Sequence, residues 1–110
     1  MPKIGTMKVS GNSGNEYAFD LYRIEITFKA LGAVYIITKR VAKSEGGGSH
    51  TYLYVGETGD LSTLFNDHHK QPCFDRNGAN CIGINLDDSE DSRLSKESDI
   101  RDAHSWPCND

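Results

Sequence analysis

Nowhere in its 110 residues does the chain have an apolar run near the ~18–20 residues that cross a bilayer, and the opening Met1-Pro2-Lys3-Ile4-Gly5 lacks the apolar segment of a secretory signal. These absences lead us to expect no membrane association and a cytoplasmic address. Cysteine is scarce. Cys73, Cys81 and Cys108 are odd in number and contain no C-x-x-C pair, which argues against a disulfide framework and a four-ligand zinc site. Three reduced thiols are the expectation. Positive charge is also short, since the net charge is −4, and that weakens any case for avid non-specific binding of polyanions. The deficit is uneven: residues 1–43 carry seven basic and three acidic side chains, residues 44–110 five and thirteen. The first segment can therefore build a local basic face, the alternative being an ordinary solvated surface. What is present, 36% hydrophobic and 25% charged residues, is the composition of one soluble globular domain rather than a disordered or collagenous chain.

Local patterning places the elements. Gly11-Asn12-Ser13-Gly14-Asn15 is a turn signal after Met7-Lys8-Val9, fit for a hairpin tip. Tyr22, Ile24, Ile26 and Phe28 alternate with Arg23, Glu25, Thr27 and Lys29, which reads as a half-buried strand. Two β-branched and aromatic runs, 33–38 and 51–55, read as central strands joined in a long hairpin by the polar tip 39–50 with its Gly46-Gly47-Gly48. Leu61, Leu64, Phe65 and His68 fall at i, i+3, i+4 and i+7, one face of a helix that Asp60 or Thr58 can cap and Pro72 should end. Asp75-Arg76-Asn77-Gly78 then reads as loop, Cys81–Leu86 as a third core strand, and Asp88 to about Ala103 as a second helix with acidic residues at its start. The run Asp87-Asp88-Ser89-Glu90-Asp91 is read as that solvated helix start rather than a metal site.

Ala33-Val34-Tyr35, Tyr54-Val55-Gly56-Glu57-Thr58-Gly59-Asp60-Leu61, His68, Arg93-x3-Glu97 and Pro107-x-Asn109 follow one another in an order that resembles the GIY-YIG nuclease superfamily over about residues 31–110. The separate pieces are weak, Y-V-G being common in strands; their order and the interval of 12 between Glu97 and Asn109 are more specific. The resemblance implies a single α+β domain: a central three-stranded antiparallel sheet flanked by helices, with residues 1–30 as an N-terminal β extension. It implies metal-dependent hydrolysis of DNA phosphodiesters. Tyr35 would be the general base or its relay, Tyr54 would hold a phosphate or water, and His68 would aid deprotonation or orient the base. Glu97 would be the sole protein ligand of one Mg²⁺ or Mn²⁺, and Asn109 would brace the chain end. Lys39, Arg40 and Lys70 are candidate DNA contacts. The family holds repair, restriction, mobile-element and interbacterial toxin domains, and a toxin would bring an inhibitor or immunity protein as partner. Oligomeric state is left open.

Two positions depart from the family pattern. Ala33 stands where the first motif has glycine, with Gly32 one residue earlier, a change a strand tolerates. Leu64 stands where the family presents an arginine four residues before the histidine. A phosphodiester hydrolase needs a positive charge on the pentacovalent phosphate, and losing one preorganised donor costs on the order of 10²–10³ in rate. The nuclease is therefore expected to be inactive or strongly impaired. Three accounts are open: an inactivating substitution, a natural turn to a non-catalytic DNA- or protein-binding module, or another cation, Lys39, Arg40, Lys70 or Arg76, reaching the site. Apart from the resemblance, Tyr35 and Tyr54 read as core aromatics with hydroxyls at the rim, Leu64 as part of an apolar face, and Glu97 as half of an i,i+4 ion pair with Arg93. His69, beside His68, is expected to face solvent.

Overall fold

A computed structural model describes residues 3–44, 46–65 and 68–109. Five strands, β1 (Gly5–Ser10), β2 (Glu16–Arg23), β3 (Ala33–Ala42), β4 (Gly48–Thr58) and β5 (Cys81–Leu86), form one antiparallel sheet of order β1-β2-β5-β3-β4. Two helices, α1 (Gln71–Asn77) and α2 (Glu90–Ala103), complete an α+β domain. The expected three strands are β5-β3-β4. They are not a separate sheet, because the N-terminal hairpin joins them through β2 and β5, with Arg23 opposite Cys81.

Each face of the sheet has its own apolar cover. Tyr35, Ile37, Leu53, Ile82 and Ile84 pack under Leu61, Leu64 and Phe74 on one side. Val34, Ile36, Val55, Val9 and Phe19 pack on the other with Ile100 of α2 and Trp106. The period-2 alternation of β3 divides its residues between the two cores, as burial on both faces demands. The 39–50 tip is shorter than expected, because strand pairing continues to Ala42 and Gly48; residue 45 lies outside the described residues.

Two sequence expectations need correction. The strand read over Tyr22–Lys29 stops at Arg23, and residues 24–29 leave the ladder through a turn closed by Ile26 N–H on the Arg23 carbonyl. Their alternation is real as burial, since Ile24, Ile26 and Phe28 pack on the core, but β5 begins only at Cys81 and the pairing ends with the Ile24 N–H on the Asn80 carbonyl at 3.2 Å. The helix read over 61–68 is a 3-10 turn at Leu61–Thr63, capped by Asp60, with residues 66 and 67 outside the described residues. The helix proper, α1, starts later, and Pro72 opens it rather than ending anything that came before. Proline suits a first helical turn, where its missing N–H removes nothing. Gly78, at φ 72°, closes α1 in the left-handed conformation that glycine adopts cheaply.

The cysteine expectation is overturned as well. Cys73 on α1 and Cys108 are joined in a disulfide with Cα atoms 5.8 Å apart, leaving Cys81 as a buried thiol. Neither spacing nor parity signalled the pair, because the fold alone brings residues 35 apart together. No helix among the described residues is long and apolar enough to cross a membrane.

Candidate active site

Tyr35 on β3 lies opposite Gly56 on β4. A Cβ at position 56 would fall 2.7 Å from the Tyr35 hydroxyl and 2.8 Å from the Tyr54 ring, so only glycine lets these two phenols lie across the strand. The Tyr35 hydroxyl meets His68 Nε2 at 2.9 Å, and His68 Nδ1 accepts the Lys70 backbone N–H at 3.1 Å. Those two contacts fix the neutral ring. Nδ1 is the acceptor, so Nε2 carries the proton and donates it to the Tyr35 oxygen. Burial, with His69 and Lys70 adding to it, lowers the His68 pKa and keeps the ring neutral.

Tyr35 is only 3% exposed, and burial, followed by the influence of Tyr54, Glu97 and Glu57, pushes its hydroxyl far up. It stays a phenol. Its ring lies tilted against that of Tyr54, with centres 5.9 Å apart. Donors thus run from the Lys70 backbone through His68 to Tyr35, and the half-buried Tyr54 packs beside them. Tyr54 is itself raised, chiefly by burial. His68 packs edge-on to Tyr54 with ring centres 5.3 Å apart. His69 is exposed, as expected, yet its ring does not point away: it stacks on His68 at 4.9 Å and adds an outer wall.

Glu97, on α2, acts on both tyrosines. Its partner is Arg101, at 3.3 Å, one turn further along the helix. Arg93, one turn earlier, turns instead to Glu57, donating through Nε at 2.9 Å, and to the Asp87 carbonyl at 3.2 Å. That guanidinium is buried and explains the displaced glycine: a Cβ on Gly32 would come within 2.6 Å of Arg93 NH1. Burial raises the Glu97 pKa, Arg101 lowers it, and the neighbouring Glu57 raises it again. Glu57 is paired with the buried Arg93, and Glu97, paired with Arg101 through one oxygen, offers a carboxylate of the kind a hard cation takes. Among the described residues no three His, Cys, Asp or Glu side chains converge on a metal. An ion here would be held by Glu97 with water and phosphate oxygens.

The C-terminal segment fastens this corner. Asn109 accepts the Val55 N–H and donates to the Val55 carbonyl, both at 2.9 Å, and the Cys108 N–H bonds the Leu53 carbonyl at 2.8 Å. Tyr54 lies between those two anchors, and the disulfide carries them to α1. Leu64 is buried among Leu61, Phe74 and Tyr35, a core side chain with no charge to offer. Lys70 flanks His68 at the start of α1. Lys39 and Arg40 sit four and five residues beyond Tyr35 on β3, about 13–17 Å away at strand spacing. Lys39 lies by Gly78, and Arg40 is held by Asn80, whose side chain bonds its backbone N–H and carbonyl. Arg76 is exposed on the last turn of α1.

Sequence reasoning missed the Glu57–Arg93 pair, Arg101, the histidine stack and the disulfide. Only Arg101 carried a readable signal, since Glu followed four residues later by Arg is a favourable helical pair. A cleft of about 390 Å³ between residues 24–28 and α1, lined by Ile26, Phe28, Leu61, Phe65 and Phe74 among others, contains none of the polar groups above. The tyrosine and histidine cluster lies at the β3–β4 side of the sheet instead. Compared with known proteins, the chain finds no match: no family model fits it, and no curated protein or solved structure shows significant similarity to it.

Proposed function

We propose that the protein is a metal-dependent endonuclease of GIY-YIG type that hydrolyses DNA phosphodiesters, impaired by the leucine at position 64. The observation that carries this reading is the Tyr35 hydroxyl held by His68 Nε2 at 2.9 Å with Tyr54 packed beside it across the strand. Water attacks phosphorus and forms a new P–O bond while its proton passes to the phenolate form of Tyr54, which becomes a phenol. The opposite P–O ester bond breaks, and the departing oxygen takes a proton from solvent, leaving a phosphate monoester and an alcohol. His68 orients Tyr35 and does not accept the proton, because its Nε2 already carries one. Asn109 holds the strand that carries Tyr54. A divalent ion such as Mg²⁺ or Mn²⁺ at Glu97 would supply a Lewis acid for the leaving oxygen. Lys70, beside His68, stands nearest the site among the proposed DNA contacts. A cytoplasmic address is expected from the absence of a secretory segment and a membrane span. The Cys73–Cys108 disulfide favours an oxidising compartment instead.

Plasmid nicking in Mg²⁺ and in Mn²⁺ tests the reading, comparing the protein with Leu64→Arg and with Leu64→Arg combined with Glu97→Ala. The expected order is slow, faster and none, with folding followed by circular dichroism, since an arginine in this core position is destabilising. Folded Leu64→Arg protein that leaves plasmid intact would sink the hydrolase. The second reading, a binding module without catalysis, is favoured by the burial of Leu64 and would then stand if salt-sensitive DNA affinity persisted in Glu97→Ala.

A further inference from the structure

The proposed chemistry requires a cation on the phosphate, and the position expected to supply it is an apolar core residue. Four other cations were named from the sequence. Lys39 and Arg40 are displaced along β3, Arg76 is exposed on α1, and Lys70 flanks His68 rather than the carboxylate. Arg93 is closer to the carboxylates, but it is buried and committed to Glu57 and to a backbone carbonyl. Arg101 differs from all of these. It projects from the last turn of α2 beside Glu97, bonded to that carboxylate through one nitrogen at 3.3 Å, with a side chain 49% exposed. Its charge lowers the Tyr54 pKa against the rise that burial imposes. A guanidinium has five donors in a planar fork, and among the described residues Arg101 has no partner besides Glu97.

We infer that Arg101 is the cation of this site: its guanidinium, placed between Glu97 and solvent, contacts the phosphate and replaces the arginine absent at position 64. The inference rests on the hydrolase reading and adds a residue that the resemblance does not name. The charge comes from the helix that carries Glu97, so it enters from the side of the carboxylate and not from beneath the tyrosines. The pair with Glu97 holds the fork at the rim until an anion arrives, and exposure leaves its outer edge available for bidentate contact.

A cycle of variants tests it: the protein, Arg101→Gln, Arg101→Lys, Leu64→Arg and the double variant Leu64→Arg with Arg101→Gln. Two quantities are measured on each, nicking in Mn²⁺ and affinity for a fluorescent 20-base-pair duplex in Ca²⁺, with duplex length chosen as roughly two helical turns. Arg101→Gln should lower the nicking rate by about 10²–10³-fold while duplex affinity changes by less than about tenfold, and Arg101→Lys should keep part of the rate. In the Leu64→Arg background the same substitution should cost under about tenfold, because a second guanidinium serves the phosphate. A helix-stabilising role alone would instead give equal losses in both backgrounds. Equal nicking by the protein and Arg101→Gln overturns the inference and leaves the hydrolase standing. So does an inert parent beside an active Leu64→Arg. Should Leu64→Arg fail to fold, the comparison of Arg101→Gln with Arg101→Lys in the parent decides alone: charge-dependent nicking supports the inference, and equal or absent nicking removes it. Folded proteins all silent on DNA overturn the hydrolase and the inference together.

Discussion

Gly56 shows how one residue sets this corner. With hydrogen in place of a side chain, Tyr35 crosses β4 and its hydroxyl reaches His68; a methyl group would sit 2.7 Å from that hydroxyl and 2.8 Å from two ring carbons, one on each tyrosine. Gly56→Ala should therefore destabilise the protein by about 1–3 kcal/mol, the usual cost of overpacking, and displace Tyr35. The measurement is a urea midpoint with tyrosine near-ultraviolet dichroism; an unchanged midpoint and spectrum would show that the phenols do not pack across the strand. Tyr54 gives a second prediction at this scale. Its pKa is raised above the ordinary 10.0, so the base form is the minority at neutral pH and grows as pH rises. The nicking rate should climb up to about tenfold per pH unit from 7 to 9, and Tyr54→Phe should remove both the rate and the slope. A flat profile in the parent would take Tyr54 out of proton transfer. Motif order singled out Tyr35, Tyr54 and Glu97 as candidates, whereas the packing of the two phenols across Gly56 is visible only in the fold. Gly32 was legible only as a misplaced glycine, because its cause, the Arg93 guanidinium, comes from a helix 61 residues away.

At the scale of elements, the C-terminal segment and α1 act as a brace. Cys108 and Asn109 occupy the outer edge of β4 with backbone and amide bonds, covering polar groups that an edge strand would otherwise expose. The disulfide closes the loop between residues 73 and 108, and a loop of that length stabilises by about 3–4 kcal/mol in the chain-entropy account. Reduction, or Cys73→Ser with Cys108→Ser, should lower stability by about that amount and release Asn109 from Val55. Hydrogen exchange at the Val55 amide reports the second effect directly; protection that survives reduction would show that Asn109 holds without the disulfide. Element types were legible wherever patterning and hydrogen bonding agree, as in β3, β4, β5 and α2. They diverge over residues 24–29 and 61–65. Apolar spacing records which side chains are buried, and in both segments it did so correctly, with Leu61 and Leu64 in the core and Ile24, Ile26 and Phe28 against it. Backbone pairing depends on partners that spacing does not contain: β5 begins too late to continue β2, and the helix nucleates where proline can open it.

For the whole molecule, the titrating groups predict a stability that weakens in two stages on the acid side. His68 and His50 have pKa values lowered from 6.5, mainly by burial, and each uses a ring nitrogen as a structural partner: Nδ1 of His68 for the Lys70 amide and Nδ1 of His50 for the Thr38 hydroxyl at 2.8 Å. Lowered values mean that the unfolded chain binds more protons through this range, so stability is complete above about 6.5 and falls as pH drops through the folded values. The carboxylates act later. Asp87 is held down at about 2 by bonds from Ser92, Lys96 and the Ser89 amide, and Asp99 is lowered from 3.8 by Tyr17 and Ser13, which it ties to the β1–β2 turn. Their contribution is complete above about 3.8 and is lost towards pH 2. Urea midpoints should therefore hold level from pH 8 to about 6.5, decline through pH 5, and fall again below pH 4. Asp99→Asn should soften the second decline and leave the first, because Asp99 secures the hairpin turn to α2 while the histidines lie along β3, β4 and the approach to α1. A first decline that persists in His68→Gln with His50→Gln would assign it to other groups. The connection to function follows from the same sign: the neutral His68 that stabilises the fold is the form that donates to Tyr35, so acid should weaken the site and the scaffold together.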